Sequence, residues 1–214
     1  MGTLALALLV ALALLAYSVH LGAWRAADLS VLQFIALATP CQARQAGWAV
    51  SPLLSAEASV VLASLVTAGY WWRTRRWAAA WLLAGLVATA PVELAAKHLA
   101  EQPVPRRVAE VSRLERPECG REQYPLTIVS TPFSFPSGST ARLSYFTTLG
   151  LYAARAAGRW APAAQGALLL GAVLVAGTRL PILWHWPTDL AGGALLGAAT
   201  ACGALWALQR RRGA

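Results

Sequence analysis

The sequence predicts an all-α polytopic membrane protein, a single domain of six transmembrane helices. Three observations predict it. Of the 214 residues 57% are hydrophobic and only 13% charged, about half the charge of an ordinary soluble domain. Several apolar runs approach the roughly 20 residues that cross a bilayer as a helix, the conformation that satisfies every backbone polar group within its own segment. The arginines gather in short segments between those runs, as topology requires.

The apolar runs place the spans at about 3–21, 52–72, 77–96, 138–157, 160–178 and 187–208. The first has no basic residue before it and no convincing small-residue cleavage site, so it reads as a retained span and not a signal peptide. Met1-Gly2 is followed by apolar positions without the Ser or Thr of a myristoylation site. The segment 29–38 is apolar but too short to span; it lies in the interface or re-enters. Gly192, Gly193, Gly197 and Gly203 in the last span predict close helix packing. The ten tryptophans fall mostly near span ends, as interfacial anchors do.

Orientation follows from three basic segments that carry no acid: Arg73, Arg75 and Arg76; Arg155 and Arg159; Arg210, Arg211 and Arg212. By the positive-inside rule these are cytoplasmic, and six spans then put both termini there. The net charge of +9 is thus a topology signal, and no nucleic-acid partner is expected. The opposite side receives 22–51, the long outer loop 97–137 and 179–186. Cys41 and Cys119 fall on that side. They either form a disulfide between two outer segments or stay separate thiols. No cysteine–histidine spacing suits zinc, and neither a metal nor a cofactor is expected. Glu57, Glu93 and Asp189 are the acids in or beside the apolar runs. No paired broken helices point to a transporter.

Three polar clusters converge on the outer side. Lys97-His98-Leu99-Ala100-Glu101-Gln102-Pro103-Val104-Pro105-Arg106-Arg107 follows the third span. Pro136-Ser137-Gly138 opens the fourth, where a serine cap, free N–H groups and the helix dipole make an anion site. Arg179 to Asp189 joins the fifth to the sixth. Arg179 and Lys97 supply cations for a phosphoryl group. His185 is placed to attack phosphorus, with Asp189 four residues on to orient its ring. Each residue also has a plain structural reading. Lys97 is spaced to pair with Glu93 on one helix, and Asp189 favours the dipole of a helix start.

These residues resemble the type 2 phosphatidic acid phosphatases, a superfamily of six-span lipid phosphatases that also includes soluble vanadium haloperoxidases. The family pattern is Lys-x6-Arg-Pro, Pro-Ser-Gly-His and Ser-Arg-x5-His-x3-Asp. Lys97 and Pro105 match the first motif and Pro136-Ser137-Gly138 the second. Arg179, His185 and Asp189 match the third, with Thr178 for the family serine. The resemblance implies a phosphohistidine mechanism on a phospholipid or polyprenyl (di)phosphate. It implies catalytic His185 and Asp189, with phosphate held by Lys97, Ser137, Gly138 and Arg179. It places the chain in a bacterial inner membrane with the site toward the periplasm. Two positions depart from it. Ser139 replaces the family histidine that serves as general acid, and Val104 replaces an arginine of the phosphate clamp. Arg106, coincident with the second arginine of an Arg-Pro-Arg-Pro variant, and Arg142, one turn into the fourth span, are the substitutes on offer. The alternative is a pseudo-phosphatase, an accessory subunit of a membrane-protein complex.

Overall fold

The computed structural model describes residues 1–114, 119 and 131–210, so Glu115, Arg116, Glu118, Arg121 and Glu122 of the outer loop, and Arg211 and Arg212, lie outside the described residues. The architecture is all helical: α1 Gly2–His20, α2 Arg25–Ala38, α3 Cys41–Val50, α4 Ala56–Thr74, α5 Ala80–Val87, α6 Thr89–Ala100, α7 Ala109–Ser112, α8 Gly138–Ala154, α9 Ala161–Gly177 and α10 Pro187–Arg210. Among the described residues the one β-type pairing is an isolated bridge, Pro103 with Phe133.

By length and composition four stretches can cross a membrane: Gly2–His20, Trp77–Ala100, Gly138–Gly177 and Pro187–Arg210. A fifth is the pair Cys41–Leu54 and Ala56–Thr74, bent by 51°. The stretch 138–177 is two limbs. Gly158, at φ 57° and ψ −126°, reverses the chain between α8 and α9. The limbs then lie side by side: Gln165 Nε2 donates to the Leu151 carbonyl at 3.3 Å. Counting six spans means counting those limbs separately.

Several boundaries moved for local reasons. Pro52 suits a 3-10 turn, Ser51–Leu54, so α4 starts only where the Ser55 hydroxyl accepts from the Ala58 N–H at 3.1 Å. The third span runs on to Ala100, which shortens the outer loop to 101–137. The expected interfacial segment 29–38 is the greater part of α2.

Helix α10 is the axis of the bundle, with twelve buried residues from Thr188 to Leu208. Its small side chains permit that. A Cβ on Gly197 would overlap the Ala141 carbonyl of α8, and one on Gly193 would overlap the Ser137 carbonyl. Gly203 departs from the packing expectation, since nothing lies within 4 Å of where its Cβ would be. Gly197→Leu should therefore cost about 3 kcal/mol or more, since backbone has no room to yield. Gly203→Leu should cost little. Melting the two variants in detergent checks the contrast.

One core cluster joins Leu12, Ala16 and Val19 of α1 to Ala96 and Ala100 of α6, to Phe135, and to Ala141 and Leu196. It lies beneath the polar end of the bundle. A second, Leu32, Ala36, Val111, Leu183 and Trp186, packs α2 under the α9–α10 connection. Cys41 and Cys119 are joined by a disulfide, which ties α3 to the outer loop across 78 positions of sequence.

Candidate active site

The α9–α10 connection carries the chemistry. Leu183 has a left-handed φ of 58°, a costly conformation for a branched side chain. Burial of Leu183 among Leu32, Ala36, Val111 and Trp186 holds it there. The turn presents His185, whose side chain is 18% exposed, one turn ahead of Asp189, which is fully buried. His185 Nδ1 lies 3.2 Å from Asp189 Oδ2. The same oxygen accepts the Trp186 N–H at 2.8 Å. A carboxylate so fixed places the Nδ1 proton toward itself and leaves Nε2 as the nucleophilic nitrogen.

The start of α8 is bolted to this dyad. The Ser137 N–H donates to the Asp189 carbonyl at 2.9 Å. The Ser137 hydroxyl caps its helix by accepting from the Thr140 N–H at 3.3 Å, and it lies 3.1 Å from the Ser139 hydroxyl. Gly138 lets the Glu93 carboxylate lie close against the start of α8: a Cβ there would come within 2.5–2.8 Å of it, so Glu93 would have to shift. Two of the three sequence clusters thus meet at one helix N-terminus, whose dipole favours an anion, and the Glu93 carboxylate already lies against it.

The expected cations all meet protein groups. Arg179 is 4% exposed; it donates from Nη1 to Ser51 Oγ at 2.9 Å and from Nη2 to the Gly47 carbonyl at 3.0 Å. Those bonds aim the guanidinium from the α9–α10 connection across to α3. The Thr178 hydroxyl turns back to the Val175 carbonyl of its own helix at 2.6 Å. Arg106 lies with Cζ 4.0 Å from the Trp184 ring centroid, a cation–π contact that brings it beside the neighbour of His185. Val104 is buried at the turn before Pro105–Arg107.

Lys97 and Arg142 bind protein. The Lys97 ammonium donates to the carbonyls of Phe133, Ser134 and Pro136 at 3.2, 3.3 and 3.1 Å, with Glu93 Oε1 at 3.6 Å. An ammonium has three protons, and these three carbonyls account for them. In this arrangement Lys97 shapes the approach to α8, which includes a cis Phe135–Pro136 bond. Arg142 grips the Leu54 carbonyl through Nε at 3.2 Å and Nη2 at 2.9 Å, fastening α8 to the turn before α4.

Sequence reasoning missed Asp28. This α2 carboxylate, 2% exposed, caps α10 from another helix. It accepts the Thr188 N–H at 3.1 Å, the Thr188 hydroxyl at 2.5 Å and Gln102 Nε2 at 3.2 Å. The signal was a lone acid at the edge of an apolar segment. Burial pushes its pKa up; the Thr188 bonds pull it down, and the nearby Asp189 charge adds to the rise. Asp28→Ala should cost about 1–3 kcal/mol, because it strands the buried Thr188 N–H. The raised pKa has a sign. Asp28's titration favours the fold most below its unfolded pKa, and this contribution is lost as pH rises through the folded value. The melting temperature of the wild type relative to Asp28→Asn should therefore fall across that window, as measured by thermal melts at stepped pH.

Comparison with known proteins bears on the fold and the family. The crystal structure of the first transmembrane PAP2-type phosphatidylglycerolphosphate phosphatase from Bacillus subtilis superposes with a TM-score of 0.72 over 94% of each chain, at 17% identity. That is a likeness of fold. No curated protein matches the chain. The PAP2 superfamily model matches residues 78–213, from α5 through all three polar clusters. The chain is an integral membrane protein that belongs to the PAP2 superfamily.

Proposed function

We propose that this protein is a lipid phosphate phosphohydrolase acting through a phosphohistidine, with diphosphates as its better substrates. The observation that carries the reading is the His185–Asp189 contact of 3.2 Å, with the α8 N-terminus hydrogen-bonded to the same aspartate. His185 Nε2 attacks phosphorus, a P–N bond forms and the P–O bond to the leaving group breaks. Arg179, Ser137 and Gly138 hold the phosphoryl oxygens, and Arg106 stands for the arginine absent at Val104. Water then attacks phosphorus, the P–N bond breaks and phosphate leaves. Ser139 is a poor acid, so a leaving group that needs little protonation is favoured. A polyprenyl or phospholipid diphosphate meets that need. We place the site on the periplasmic face of a bacterial inner membrane with both termini cytoplasmic, a reading supported by the acid-free arginine segments at the far end. The test is phosphate release from lipid mono- and diphosphates by purified wild type and His185→Ala.

A second reading is favoured by a separate observation. Lys97 spends its ammonium on three carbonyls, and Ser139 and Val104 stand where an acid and a cation are expected. Under that reading the protein is a pseudo-phosphatase that binds a lipid head group within a membrane-protein complex. Its mark is a stoichiometric partner on purification and no turnover by the wild type.

A further inference from the structure

The half of the bundle away from the site holds an apolar groove between α1, α5–α6 and α10, about 550 Å³ in volume. Gly85, Ala88 and Gly203 line it, Trp81 and Trp206 flank it, and Arg210 is at its α10 end. Gly203 is the α10 glycine with nothing packed on it. The groove's first α10 residue, Ala199, is ten positions past Asp189, about 15 Å of helix rise. Between groove and site lies the core cluster of Leu12, Ala96 and Leu196, on which Val92 packs. The groove is therefore separate from the phosphate chemistry.

The charge at that end bears on the occupant. Arg210 lies 4.2 Å over the Trp206 ring, and Arg75, Arg155 and Arg159 at the same end also lie over aromatic rings. The sequence adds Arg73 and Arg76, with no acid in that segment. An apolar slot in a membrane domain takes an alkyl chain, and Arg210, the arginine among its lining residues, takes phosphate. The volume suits a small ligand.

We propose that this groove binds one anionic glycerophospholipid from the leaflet at the Arg210 end, an acyl chain along Gly85, Ala88 and Gly203 and its phosphate on Arg210. The site is distinct from the phosphatase site and does not depend on turnover. The experiment is native mass spectrometry of the full chain released from nanodiscs of phosphatidylglycerol and phosphatidylcholine in equal parts. The expected result is one retained phosphatidylglycerol. Gly203→Leu should lower its retention at least about tenfold, the equivalent of two lost methylene contacts, with an unchanged melting temperature in lipid-free detergent. Arg210→Gln should erode the preference for phosphatidylglycerol. A wild type with no retained lipid, one that retains phosphatidylcholine equally, or equal retention by Gly203→Leu overturns the proposal. So does a dimer cross-linked through position 203.

Discussion

Phosphate release from a lipid diphosphate should fall at least about 10³-fold when His185 becomes alanine, since removal of a nucleophile leaves only binding and electrostatic effects. The loss should appear in kcat, because the imidazole forms its bond only as phosphorus is attacked. The fold should survive. His185 is partly exposed and its one described polar partner is Asp189, whose Oδ2 keeps the Trp186 N–H without it. Brief incubation of wild type with labelled substrate, followed by alkaline quench, should trap an acid-labile phosphoprotein that His185→Ala lacks. Equal release by both proteins would remove His185 as the nucleophile. No release by either would support the accessory-subunit reading.

Ser139→His should raise turnover of a lipid phosphomonoester by about 10²–10⁴-fold, the usual worth of a general acid. Its effect on a diphosphate should be smaller, because that leaving group needs less protonation. The position can accept the ring: Ser139 is only partly buried in the first turn of α8. Its described polar contact is the 3.1 Å approach to the Ser137 hydroxyl, and Ser137 still accepts from Thr140 without it. A gain should bring a basic limb to the pH–rate profile near the pKa of the new histidine. No gain on either substrate would mean that more than an acid is missing, and would turn attention to Val104 and the committed Lys97.

Much of the fold was legible in the sequence because a bilayer imposes a simple rule. Apolar length sets a span, and the arginine clusters name one end of the bundle. Gly193 and Gly197 announced close helix packing, since small residues let backbones approach, and the structure supplies α8 as the partner. His185 and Asp189 stand four residues apart in the sequence, and the structure keeps them in contact. Gly203 was misread because a glycine packed on a neighbour and one facing open space look alike in a sequence.

The partners of the buried charges were less legible. Lys97 looked like a phosphate ligand, yet its neighbours are carbonyls 36 to 39 positions away. Asp28 escaped notice because its partner Thr188 is 160 positions off. Arg142 looked available until the Leu54 carbonyl came within 2.9 Å. What the sequence determined by itself was the membrane class, the helical segments, the family motifs and the two positions, Ser139 and Val104, that depart from them. These depend on residue type and near spacing. What only the tertiary structure decided was which groups of the packed chain each buried charge meets. A buried polar group must find a partner wherever the packed chain supplies one, and chain separation carries no record of that choice.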